Sequence, residues 1–106
     1  MNAVADKLRQ ARALVERGWM QGDYADADCE CFCALGAIQM AVCGEPDNDF
    51  SLRTRPLEQL FQQALGVKSI VNWNDANGRT QAEVLAAFDK AIELAEQSLP
   101  IAGERK

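Results

Sequence analysis

The 106 residues are enough for one domain with a single modest core. Apolar residues make up 48% and charged residues 25%, a balance that excludes wholesale disorder. The net charge is −5 and histidine is absent, so His-dependent triads, Cys–His dyads and zinc sites with imidazole ligands are excluded as well.

In chain order, Val4, Leu8, Ala11 and Val15 recur at the spacing of one helical face, and Leu14 widens the stripe. Lys7, Arg9, Arg12, Glu16 and Arg17 fill much of the remainder, which predicts an amphipathic surface helix from Asn2 to about Arg17. Gly18 falls where a left-handed residue would end it, with Trp19 placed to seal that end. A loop rich in glycine and aspartate, Gln21 to Asp28, follows. The second helix is expected from about Cys31 to Cys43 and is apolar nearly all round, as a helix in the centre of the domain would be. Gly36 in its middle is about 1 kcal/mol worse than alanine. That points to close approach by a neighbouring helix or by the Trp19 indole.

Gly44 and Pro46 end the second helix, and Pro56 suits the first turn of a third. Its Leu57, Leu60, Phe61, Ala64 and Leu65 share one face, and Gly66 closes it. Val67 to Trp73 reads as a helical turn. Thr80-Gln81-Ala82-Glu83 fits a capping box, and Val84, Leu85, Phe88, Ala91, Ile92, Ala95 and Leu99 continue at helical spacing until Pro100. Residues 101–106 are expected to be a frayed tail. The fold class is therefore all-α, a compact bundle of four principal helices with one or two short extra helical turns, in a single domain over residues 1–106. No apolar run approaches the ~20 residues of a membrane span. No basic stretch leads into an apolar one, so a cytoplasmic location is expected.

Cys29, Cys31, Cys33 and Cys43 match the number of ligands in a structural zinc site, but Cys-x-Cys-x-Cys with one more nine residues later is not a pair of knuckles. The simpler reading makes Cys33 and Cys43 small buried hydrophobes and Cys29 and Cys31 loop thiols, with no metal and no cofactor. A disulfide is disfavoured in a reducing cytoplasm. Asp28 and Glu30 flank the loop thiols and repel a thiolate, and no histidine is present as base, so a cysteine enzyme is not expected.

The charge is segregated. From Gly18 to Leu52 there are seven acids (Asp23, Asp26, Asp28, Glu30, Glu45, Asp47 and Asp49) and no base, while the other residues net +2. These acids fall on the two loops flanking the second helix, about 18 Å apart for about twelve helical residues. Solubility alone is one explanation. A calcium loop would need Asp23, Asp26, Asp28 and Glu30 around a tight turn, but the twelve-residue pattern with its central glycine is missing. The third explanation is electrostatic docking on a basic partner, with these seven acids as contacts. Direct nucleic-acid binding is not expected, since no basic stripe exists.

Trp73-Asn74-Asp75 precedes Asn77-Gly78-Arg79-Thr80 and the last helix. The structural expectation is that Trp73 packs inward, Asn74 or Asp75 binds turn amides, and Arg79 pairs with Asp75. The catalytic alternative, a small hydrolase with Asp75 as general base, requires a polar concave pocket beside Trp73. No pocket large enough is expected.

Gly18-Trp19-Met20-Gln21-Gly22, Cys33-Ala34-Leu35-Gly36-Ala37-Ile38, Trp73-Asn74-Asp75, and Arg79-Thr80 leading to Glu83-Val84-Leu85 and Phe88-Asp89 together resemble a family of small uncharacterised bacterial and phage proteins. That family has no assigned activity, so the resemblance implies no catalytic residues. In its length and its Cys29-Glu30-Cys31-Phe32-Cys33 run, the chain also resembles anti-CRISPR proteins directed at type I-E systems. This resemblance implies a non-enzymatic inhibitor from a phage or mobile element, acting in the host cytoplasm on the type I-E CRISPR effector complex or its recruited helicase–nuclease. The alternative is a cysteine-based metal-binding or regulatory module. Phe50, Leu52 and Ile101 are candidate exposed hydrophobes and leave room for a homodimer.

Overall fold

The computed structural model describes the backbone of residues 3–45 and 53–104 and the side chains through residue 97. The order is α1 (Ala3–Arg17), α2 (Ala34–Cys43), α3 (Arg55–Leu65), α4 (Ile70–Asn74) and α5 (Gln81–Glu104). The chain is an all-α bundle, with four longer helices and one short one among the described residues. Among the described residues the only extended pairings are isolated bridges that Phe32 makes, parallel to Trp19 and antiparallel to Ala25.

Helix α1 packs on α5, α2 and α3, while α3 packs on α5. The buried stripe of α1 is Ala5, Leu8, Ala11 and Val15, with Val4 and Leu14 half-buried beside it. Phe61 of α3 links the far side of the core. It meets Phe88 edge-on with ring centroids 4.9 Å apart and Trp73 of α4 at 5.7 Å. The capping box forms as the sequence predicts. Thr80 N–H donates to Glu83 Oε1 at 2.9 Å, and Glu83 N–H donates to Thr80 Oγ1 at 3.2 Å. Gly44 and Gly66 end α2 and α3 in left-handed geometry.

Four local expectations are corrected. Helix α2 begins at Ala34 instead of Cys31, because residues 31–33 are held extended between two other chain segments. Phe32 N–H donates to Gly18 C=O, Met20 N–H to Phe32 C=O, and Cys33 N–H to Tyr24 C=O. Gly18 is not left-handed. Its missing side chain instead makes room for the Glu30 carbonyl, which a Cβ would meet at 2.3 Å. Gly36 admits neither a helix nor the Trp19 indole but the Tyr24 carbonyl, which a Cβ would meet at 1.9 Å. The loop, not a helix, therefore covers that face of α2. Finally, the helical backbone of α5 continues past Pro100 to Glu104 instead of ending there.

Candidate functional site

Asn74, the last residue of α4, is fully buried and ties the 18–33 loop to the bundle. Its Oδ1 accepts the Trp19 indole N–H at 2.8 Å and the Ala34 N–H at 3.0 Å. Its Nδ2 donates to Met20 C=O at 3.1 Å and to Asp75 Oδ1 at 3.0 Å. All four bonding positions of the amide are filled, so the side chain has one orientation. Around it, Gln21 Nε2 donates to the carbonyls of Asn74 and Ala76, and Asp75 Oδ1 also accepts the Gly22 N–H at 3.1 Å. The knot joins residues 40 to 55 positions apart. In sequence Asn74 or Asp75 is expected to bind amides of its own turn; the amides they accept belong instead to Ala34 and Gly22, partners that no local pattern encodes.

Arg79 does not pair with Asp75. Its guanidinium lies 4.1 Å from the centre of the Trp73 ring, Nε donates to Trp73 C=O at 2.9 Å, and Nη1 approaches Glu83 Oε1 at 3.6 Å. Trp73 thus meets Phe61 in an edge-type contact and carries a cation over its ring.

Beside this knot lies a concavity of about 250 Å³ lined by Gly22, Asp23, Tyr24, Cys33, Val71 and Asp75. It adjoins Asp75 but is not lined by Trp73, beside which no pocket large enough for a hydrolase is expected. The loop held by Asn74 supplies one wall, and α4 and the start of α2 supply the others. Cys33 is the N-cap of α2, and its Sγ accepts the Gly36 N–H at 3.3 Å. Burial pushes its thiol pKa up, and the carboxylates of Asp75 and Asp23 push it further in the same direction. Backbone N–H groups of Gly36 and Leu35 oppose the shift without cancelling it. A thiol held neutral is a poor nucleophile. Asp75 has one oxygen committed to the loop, and no lysine or arginine lines the pocket.

The predicted docking acids divide into groups. Asp26 is half-buried and organises the loop. Its Oδ1 accepts the Glu30 N–H at 2.7 Å and the Cys31 N–H at 3.0 Å, while its backbone closes the turn to Cys29, which takes a positive φ of 56°. The Cys31 amide, followed by that of Glu30, holds the Asp26 carboxyl below its ordinary pKa. Asp23 is exposed, and its Oδ1 accepts the adjacent Tyr24 N–H. Asp28, Glu30 and Glu45 are exposed. Asp47 and Asp49 lie outside the described residues, as do Phe50, Leu52 and the side chain of Ile101. The two acidic segments flank a helix of ten residues instead of about twelve, which shortens their separation along it to about 15 Å.

The thiols do not converge. Cys33 and Cys43 occupy opposite ends of α2, Cys29 is exposed, and Cys31 is half-buried. Among the described residues no group of three or more Cys, Asp or Glu gathers in a way that could hold a metal ion. No helix is long and apolar enough to cross a membrane among those residues.

The profile of a family of unknown function, DUF6197, matches residues 1–94. No curated protein and no solved structure matches the chain.

Proposed function

The chain belongs to the DUF6197 family, whose function is unknown, and from that premise we propose that it works by binding a basic protein surface and not by catalysis. One observation carries this. Among the described residues, every ion pair joins side chains of α1, α5 or the turn before α5: Asp6, Arg9, Arg12, Glu16, Arg79, Glu83, Asp89 and Glu96. Asp23, Asp28, Glu30 and Glu45 meet no lysine or arginine there. Exposed acids without internal partners present a field that steers a cationic surface and fixes its orientation. The raised pKa of Cys33 argues on the other side against a thiolate nucleophile in the pocket.

The specific target proposed is the type I-E CRISPR effector complex or its helicase–nuclease, with the chain as a non-enzymatic inhibitor in the bacterial cytoplasm. Support for that target comes from the resemblance of the Cys29–Cys33 run and the chain length. The acidic surface suits proteins whose own function requires a positive DNA-binding face. The test is plaquing efficiency on a host with a targeting type I-E system, with and without the chain expressed. System-dependent rescue is expected, and its loss in Asp28→Arg/Glu30→Arg/Glu45→Arg with the helical circular-dichroism signal kept. No rescue by soluble protein overturns the target, and full rescue by the charge-reversed variant overturns the acidic mechanism.

A further inference from the structure

The pocket beside Asn74 differs in charge from two other concavities of the surface. The one between α3 and α5 carries Lys90 and Glu93, and the one at the start of α4 carries Glu58 and Lys68. Each of those pairs an acid with a base. The pocket at Asn74 has two acids, Asp23 and Asp75, and no base in its lining. Both carboxylates have Oδ1 bonded to backbone or to Asn74, which leaves Oδ2 of each without a protein partner among the described residues. Cys33 is 1% exposed and lines the same space. Its sulfur accepts the Gly36 N–H, but its S–H has no acceptor among the described residues. The thiol, engaged by the Gly36 N–H, therefore adds wall and no charge to the cavity.

The walls are also fixed before anything binds. Asp75 is held by Gly22 and Asn74, Cys33 by Gly36, and the Tyr24 backbone by the Cys33 N–H and by its seat against Gly36. Preorganised acceptors bind a cation without paying the entropy of ordering the loop. At about 250 Å³ the space is below the ~300–1,000 Å³ of clefts that enclose drug-sized ligands, so it suits a single side chain. Val71 and the neutral Cys33 thiol offer an apolar lining for a methylene stem, and the two free carboxylate oxygens offer acceptors for its head.

We infer that this pocket receives one lysine or arginine side chain of the basic partner, with the cationic head between Asp23 and Asp75 and the stem against Val71 and Cys33. The inference rests on the docking function proposed above, and it adds Asp75, Val71 and Cys33 to the contact surface.

The test uses the full chain, labelled with nitrogen-15 and titrated with N-acetyl-arginine methylamide, N-acetyl-lysine methylamide and the neutral isostere N-acetyl-citrulline methylamide. Saturable shifts of the Gly22, Tyr24 and Asp75 amides are expected with a basic probe and not with citrulline. Asp23→Asn/Asp75→Asn keeps an oxygen at each position, and it should weaken binding about tenfold through loss of charge. If that variant fails to fold, Asp23→Asn alone serves, because Asp23 bonds only to the neighbouring amide. No saturable shift with either basic probe overturns the inference. So does equal binding of citrulline, or unchanged affinity in the asparagine variant. Partner binding without probe binding removes the pocket and leaves the docking surface. Saturable probe binding by a chain that binds no basic protein removes the docking function and leaves the pocket's preference for a cationic head.

Discussion

Asn74 is where the largest local effects should appear. Removing its amide leaves the Trp19 indole N–H, the Ala34 N–H and the Met20 carbonyl without their partner in a fully buried place. Each unsatisfied group costs about 1–3 kcal/mol, so Asn74→Ala is expected to lower unfolding free energy in urea by about 3 kcal/mol or more. A loss under about 1 kcal/mol would mean that the loop is not anchored there. Asp26 adds a pH dependence. Its folded pKa lies below the ordinary value of 3.8, so its contribution is complete above that value and is lost as pH falls through the folded pKa. Asp26→Asn should flatten the acid limb of stability below about pH 4. An unchanged acid limb would contradict the hydrogen bonds assigned to its carboxylate.

At the scale of elements, the helices were largely legible and the loop between α1 and α2 was not. Helix α3 follows from its apolar spacing with Gly66 at the end, and the start of α5 follows from Thr80 and Glu83, because those signals act within one or two turns of chain. Residues 31–33 looked helical because their apolar character continues that of α2. Their extended form comes from bonds to Gly18 and Tyr24, which no local pattern encodes. The neighbour of Gly36 is hidden from the sequence for the same reason. Sequence shows that a glycine interrupts a good helix, but only the fold shows that a carbonyl fills the gap. Gly36→Ala therefore tests the loop–helix contact. Helix propensity alone would make it stabilising by about 1 kcal/mol. The clash with Tyr24 C=O should reverse the sign, giving a loss of about 2 kcal/mol in thermal or urea unfolding. A stabilised variant would show that the loop does not cover α2.

Over the whole molecule, the charge segregation visible in sequence becomes a division of labour. Bases and acids of α1 and α5 pair with one another, as in Arg12 with Asp89 at 2.7 Å and Arg9 with Asp6 at 2.9 Å, and Arg9 also meets Glu96. Such exposed pairs contribute at most about 1 kcal/mol each, so their main effect is to leave that side nearly neutral. The acids of the 18–45 segment keep their field. Of those, Asp26 belongs to the loop's own structure, a distinction that charge counting could not make because it depends on which amides a carboxylate meets. Asp75 enters the same surface from the other end of the chain, brought there by the Asn74 knot.

The most direct measurement of acidic docking is binding of the purified chain to the purified type I-E effector complex and, separately, to its helicase–nuclease, at low and high salt. Binding to one of them is predicted, weakening as salt rises and lost when Asp28, Glu30 and Glu45 are reversed to arginine. Binding to neither would contradict the proposed target, and binding indifferent to both salt and charge reversal would contradict docking through the acidic segment.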